Sequence, residues 1–178
     1  MAFSFRPWLT PAEPRSVEVT PVQDEVEGAE AQFQRALNFA SGQGPVQDYI
    51  QAAQWYALAA EQNHSSAQLN LAMLYGQGLG VVMDKAKCLM WLTKAANLGN
   101  AAAQHRLGIQ LHLVCREGRI GAGAEGRVEA LKWVRLSAAQ GYRAAETACE
   151  FVALGMTREE VAESGRRAAA FVPGPSAV

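Results

Sequence analysis

This 178-residue sequence has no large excess of either charge, few cysteines and no long apolar run. Sixteen Lys and Arg residues nearly balance 17 Asp and Glu residues, and the net charge is −1. Binding to a nucleic-acid backbone depends on a clear excess of basic residues, so this balance argues against a nucleic-acid partner. No stretch of 18 uncharged apolar residues occurs, which argues against a membrane-spanning helix.

The N-terminus and the cysteines indicate the compartment. Residues 1–27 contain no long apolar run after a basic start, so no cleavable secretory signal is predicted. The three cysteines (Cys88, Cys115 and Cys149) are odd in number and irregularly spaced. This pattern favours reduced, mostly buried thiols over a disulfide framework. We therefore expect a cytoplasmic protein.

Alanine, in contrast, is abundant and accounts for 33 of the 178 residues. Apolar residues make up 49% of the chain but aromatic residues only 8%, so the core must consist mainly of small side chains. Alanine is the best helix former and is poor in strands. Small residues at facing positions also let helix axes approach closely. The composition therefore argues against an all-β protein.

The alanines follow a repeat of 36 residues. Trp55 and Trp91 are 36 residues apart, whereas Trp133 follows Trp91 by 42, which places a six-residue insertion between His105 and Trp133. The same spacing separates the Ala-Gln pairs at 31–32, 67–68 and 103–104. Several landmarks in one register predict a repeat protein.

Each repeat is predicted to contain two helices. Ser65 and Gln68 match a capping box at the start of a first helix, and Asp48 and Asp84 are suited to cap second helices. Three residues at equivalent positions favour a left-handed helix end: Asn63, Gly99 and Gly141. One apolar stripe is expected on each second helix, exemplified by Ala52, Trp55, Tyr56, Ala59 and Ala60.

These signals divide the chain into six parts. Thr157 and Glu160 match a capping box for a final helix that ends near Phe171. The repeat with the insertion is expected to carry a lengthened glycine-rich loop over 116–126. The predicted parts are a proline-rich flexible arm (1–27), three repeats (28–64, 65–100 and 101–142), a partial repeat with a capping helix (143–172) and a flexible tail (173–178).

Residues 67–100 closely resemble the Sel-1-like repeat, a relative of the tetratricopeptide repeat. The resemblance is carried by Ala67, Leu71, Tyr75, Gly78-Leu79-Gly80-Val81, Asp84, Trp91, Lys94-Ala95-Ala96 and Gly99. It implies a right-handed α-α superhelix (a solenoid) whose first helices line a concave face. It also implies an adaptor or scaffold that binds other proteins, often in bacterial signalling, envelope processes or host interaction, and is not an enzyme.

Three patterns could suggest chemistry, and each has a simpler structural interpretation. Gly121–Gly126 matches the dinucleotide-binding pattern GxGxxG, but a predicted helix precedes it where that fold requires a strand. His105, His112 and Cys115 share a helix face, but their spacing is wide for zinc and no second ligand group is evident. His64 is expected at the surface. We therefore predict no catalytic residue, no metal and no cofactor.

The favoured function is protein–protein interaction through the first helices. We define the first-helix row as six residues expected to line the concave face: Gln34, Asn38, Asn70, Met73, Arg106 and Gln110. A peptide or a partner protein would bind there. One alternative is a structural, self-associating protein whose N-terminal arm docks on a neighbour through Phe3, Phe5, Trp8 and Leu9. A further alternative is a small-ligand-binding protein or hydrolase.

Overall fold

The computed structural model describes residues 28–42, 47–118 and 123–176, and these residues form helices and no strands. The helices are α1 (Ala29–Ser41), α2 (Tyr49–Glu61), α3 (Ser65–Gln77), α4 (Lys85–Asn97), α5 (Ala101–Arg116), α6 (Ala124–Ala139), α7 (Arg143–Ala153) and α8 (Arg158–Ala169). Packing between α1 and α7 joins each helix to the next, and α8 packs on α6. The predicted all-α solenoid is confirmed. The N-terminal arm and its four apolar residues lie outside the described residues.

Most helix ends follow the sequence signals. Asp48 and Asp84 each accept two backbone N–H groups at the starts of α2 and α4. Thr157 forms the predicted capping box of α8 with Glu160. The three predicted left-handed positions have positive φ values: Asn63 (62°), Gly99 (87°) and Gly141 (75°). These ends form as predicted because each depends on residues only a few positions apart.

The cap of α3 differs from the prediction. The helix begins at Ser65, but its N-cap is His64, whose side chain accepts the backbone N–H of Ala67. Gln68, the predicted partner of Ser65, is buried and donates to the backbone carbonyl of Ala60. The Ser65–Gln68 capping box is therefore wrong, because Gln68 is drawn into the contact between α2 and α3.

The six-residue insertion lengthens helices instead of a loop. Helices α5 and α6 have 16 residues each, whereas α3 and α4 have 13 each, a gain of three residues per helix. The connection between α5 and α6 (117–123) has seven residues, as does that between α3 and α4 (78–84). The structure thus differs from the lengthened loop expected over 116–126. Gly126, the last glycine of the GxGxxG pattern, lies inside α6.

Alanine forms the closest contacts of the core. Ala36, Ala52, Ala59, Ala95 and Ala103 are completely buried, each in a cluster that joins neighbouring helices. Larger side chains complete these clusters: Trp55 and Trp133 are buried and Trp91 is partly buried. Repeated alanines such as Ala59, Ala95 and Ala103 therefore lie where helices meet, whereas Ala31 of the first Ala-Gln pair is exposed.

The C-terminal segment after α8 returns to the earlier repeats. The ring of Phe171 contacts that of Trp133 edge-on, with 5.4 Å between centroids. The backbone N–H of Gly174 donates to the carbonyl of Asn97 (3.0 Å), and the Ser176 hydroxyl donates to the carbonyl of Asn63 (3.2 Å). Residues 171–176 therefore contact all three repeats along one edge of the solenoid.

Within the described residues, no helix is long and apolar enough to cross a lipid bilayer.

Candidate functional site

Four members of the first-helix row are exposed, as predicted for contact residues. Gln34 and Asn38 lie on α1, and Arg106 and Gln110 lie on α5. Gln34 donates from Nε2 to Oε1 of Glu30 (2.7 Å), one helical turn earlier. These four polar side chains are accessible to a partner at both ends of the row.

The middle repeat is different, because Asn70 and Met73 are half-buried. Asn70 lies near the buried Tyr56, whose pKa is raised by burial and lowered to a smaller extent by Asn70. Met73 occupies the repeat position of Leu37 and Ile109, both of which pack against hydrophobic clusters. These two members of the row thus have structural contacts of their own.

A cavity of about 440 Å³ lies where α5, α6 and α7 meet. We call it the end pocket, and it is lined by His112, Cys115, Arg116, Arg127, Phe151 and Leu154. Phe151 and Leu154 are 42% and 74% exposed. The end pocket therefore places two exposed apolar side chains beside two arginines.

Two polar atoms of the end-pocket residues are buried without a hydrogen-bond partner in the described part of the chain: Nδ1 of His112 and Nε of Arg127. Burial lowers the pKa of His112, and Arg116 lowers it further, so this imidazole is neutral at pH 7. Arg127 binds the carboxylate of Glu160 through Nη2. The end pocket therefore combines neutral, apolar and basic groups.

The histidines of α5 are not arranged as a metal site. The ring of His105 packs against Tyr142, with 5.2 Å between centroids, and that of His112 packs against Phe151, with 4.9 Å. Among residues 28–42, 47–118 and 123–176, no three His, Cys, Asp or Glu residues are grouped as metal ligands.

The protonation states of the groups with shifted pKa values suit a structural role. Burial raises the pKa of the Cys88 and Cys149 thiols and keeps them protonated and weakly nucleophilic at pH 7. Hydrogen bonds from Arg167 lower the pKa of Glu125 and Glu163, so these carboxylates stay ionised. Such shifts are typical of ion pairs and buried thiols, whereas a general acid would need a raised carboxyl pKa.

The prediction that His64 lies at the surface is wrong. Its side chain is buried, and its ring stacks on that of Phe33 with 4.5 Å between centroids. Its Nε2 lies 2.9 Å from Oε2 of Glu30. Asn100, which occupies the equivalent position one repeat later, caps α5. The 36-residue spacing therefore indicated a cap at His64.

The glutamines of the repeated Ala-Gln pairs are a second feature that the sequence did not predict. Gln32, Gln68 and Gln104 are almost completely buried. Nε2 of Gln68 and of Gln104 each donates to the carbonyl of the residue eight positions earlier. Gln68 and Gln104 thus connect α3 and α5 to the helix before each of them, whereas Gln32 accepts from Gln62 at the end of α2.

The sequence and the fold are similar to those of known repeat proteins. The Sel1 repeat family matches residues 29–64, 65–100 and 101–142. Two similar solved structures are a Sel1 repeat protein from Oxalobacter formigenes (26% identity, TM-score 0.62) and c5321, a protective antigen present in uropathogenic Escherichia coli strains that displays an SLR fold (27% identity, TM-score 0.63). The matches cover 78% and 80% of this chain but only 58% and 32% of those chains. The comparison with curated proteins gave no match.

Proposed function

We propose that this chain, which belongs to the Sel1 repeat family, is a non-catalytic adaptor or scaffold that binds a peptide or partner protein on the first helices of its repeats. Sel1 repeats are typically protein-interaction modules. The partner and its binding surface are proposed here from the features of this chain.

The end pocket is the observation that carries the proposal. A partner residue that enters it would cover the exposed side chains of Phe151 and Leu154. Burying a side chain of this size contributes about 1.5–3 kcal/mol. Arg116 on the rim is exposed and favours an acidic group beside the apolar one.

The first-helix row includes two exposed polar residues of α5 that lie on a different face of this helix from the end pocket. Arg106 and Gln110 lie on the same helix as three residues of the end pocket. Their side chains can bond to the carbonyl groups of a bound peptide, which gives orientation in addition to the apolar contact. The partner expected here is a peptide with one apolar anchor residue next to a carboxylate.

Selection of peptides from a random 12-residue phage library tests this proposal. The selected peptides should bind the full chain, and Leu154→Ala should weaken their Kd about tenfold, the loss expected for one buried apolar side chain. Arg106→Ala/Gln110→Ala should weaken it as well, because the polar contacts are removed. Fluorescence polarisation with a labelled peptide measures each Kd.

The matched control is Lys85→Ala/Arg158→Ala, which removes two exposed side chains from α4 and α8. This control should bind the peptides with unchanged affinity. The proposal fails if no peptide is selected, or if the α5 and Leu154 variants keep their helical circular dichroism and bind as tightly as the unaltered chain.

A further inference from the structure

The buried side chain of Gln68 lacks one hydrogen bond. Its Nε2 donates to the carbonyl of Ala60 (2.9 Å), whereas its Oε1 has no partner within the described residues. Rotating the amide by 180° would place Oε1 against the Ala60 carbonyl, so the observed orientation is the favourable one. A buried acceptor without a donor is costly and therefore requires an explanation.

The equivalent glutamines of the other two repeats have this donor. Gln32 accepts at Oε1 from Nε2 of Gln62 (2.8 Å), and Gln104 accepts from Nε2 of Gln140 (2.8 Å). Gln62 and Gln140 are the C-cap residues of α2 and α6. In the middle repeat the C-cap of α4 is Leu98, which has no side-chain donor. Of the three glutamines, Gln68 is therefore the one whose Oε1 lacks a donor among the residues that the structure describes.

An open cavity of about 350 Å³ lies beside Gln68. We call it the amide cavity, and it is lined by Ala60, Glu61, Asn63, Gln68, Lys94, Asn97 and Leu98. It lies at the ends of α2 and α4, away from the end pocket formed by α5, α6 and α7. Residues 174–176 run past it and bond to the backbone carbonyls of Asn97 and Asn63.

The lining of the amide cavity favours a neutral polar ligand. One carboxylate (Glu61) and one ammonium group (Lys94) balance each other in charge. The missing interaction is an N–H donor directed at Oε1 of Gln68. In repeats 1 and 3 a carboxamide supplies it, which shows that this geometry suits a carboxamide.

We propose that the amide cavity binds the side-chain carboxamide of an Asn or Gln residue from a partner protein. The Leu98 side chain, which stands where Gln62 and Gln140 stand in the other two repeats, turns aside, and the carboxamide N–H then donates to the otherwise buried Oε1 of Gln68. Its carbonyl oxygen accepts from the ammonium group of Lys94. This site is separate from the proposed peptide surface on α5, and the failure of either proposal leaves the other standing.

Nuclear magnetic resonance of the full ¹⁵N-labelled chain tests the site. The probe is N-acetyl-glutamine methylamide, a neutral glutamine with capped ends. A fragment of this size that fits well should bind with a Kd of about 1 mM. Saturable shifts are expected for the side-chain amide signal of Gln68 and for the backbone signals of Asn63 and Asn97.

Leu98→Gln is the decisive variant, because it restores the donor that the other repeats carry. It should weaken probe binding at least tenfold, since its own carboxamide occupies the site. Leu98→Met is the matched control, with a side chain of similar size and no donor, and it should bind the probe as the unaltered chain does. N-acetyl-methionine methylamide is the control probe and should produce no saturable shift.

Three results would overturn the proposal. The first is the absence of a saturable shift with the glutamine probe, the outcome expected if only water satisfies Gln68. The second is equal binding of the glutamine probe to Leu98→Gln and Leu98→Met. The third is equal binding of the glutamine and methionine probes, which would indicate apolar contact alone.

Discussion

His64 and Glu30 join the start of α3 to α1: Nε2 of the imidazole lies 2.9 Å from Oε2 of the carboxylate 34 residues earlier. Nδ1 of the same ring accepts the backbone N–H of Ala67. Because Nδ1 is an acceptor, a neutral His64 carries its proton on Nε2 and donates it to Glu30. A single side chain therefore caps α3 and holds it against α1.

Removal of His64 should destabilise the contact between α1 and the start of α3. His64→Ala loses the cap of α3 and the stacking on Phe33, with an expected cost of about 2–3 kcal/mol. His64→Asn keeps a side-chain acceptor at the N-cap and should cost about 1 kcal/mol. Urea unfolding followed by circular dichroism measures both. Equal stability of the two variants would show that capping contributes nothing here.

Acid should weaken the attachment of α8. A backbone N–H bond at Thr157 and an ion pair with Arg127 lower the pKa of Glu160 below its ordinary value of 4.5. A lowered folded-state pKa contributes stability that is present above about pH 4.5 and is lost as pH falls through the folded-state value. Urea midpoints between pH 6 and pH 3 should therefore fall.

Glu160→Gln provides the comparison for this pH effect, since its amide oxygen can still accept at the cap but carries no charge. Its urea midpoint should still fall between pH 6 and pH 3, because Glu125 and Glu163 titrate. The fall should be smaller than that of the unaltered chain, because the carboxylate of residue 160 is gone. Parallel pH profiles for the two proteins would rule out a contribution from the Glu160 carboxylate.

Gly108 permits the close approach of α5 and α6. A Cβ atom at this position would lie 2.4 Å from Cγ2 of Val134 and 2.8 Å from the carbonyl oxygen of Ala130. Gly108→Ala should therefore destabilise the protein by about 1–3 kcal/mol, even though alanine favours helix. Thermal unfolding should show a lower midpoint.

Gly165→Ala is the matched control for Gly108→Ala. Its Cβ would meet only the end of the flexible Arg135 side chain, which can move aside. This variant should be neutral or stabilised by up to about 1 kcal/mol. A similar loss of stability in both variants would contradict the role assigned to backbone approach at Gly108.

The first-helix row should separate into structural and exposed residues. Asn70→Ala removes a half-buried polar neighbour of Tyr56 and should cost about 1 kcal/mol. Asn38→Ala changes an exposed position and should stay within about 0.5 kcal/mol of the unaltered protein. Urea unfolding of the two variants tests this, and equal costs would contradict the distinction.

Residue patterns predicted the exposure of part of the first-helix row but did not predict the end pocket. The exposure of Gln34, Asn38, Arg106 and Gln110 agrees with their spacing, because helical periodicity separates core from solvent positions. The end pocket was not predicted, since it brings together residues from three helices. For the same reason, the sequence did not show that Leu98 takes the place of the donor glutamine of the other two repeats.

The sequence by itself determined the repeat, the order of the helices and most of their caps. These features depend on contacts within about four residues and on a spacing that recurs along the chain. Tertiary structure alone decided which polar side chains found a partner: His64 bonds to Glu30 and Gln104 to Gln140, whereas Oε1 of Gln68 has no donor among the described residues. Such pairs lie 30 or more residues apart, and their geometry is set only when the helices pack.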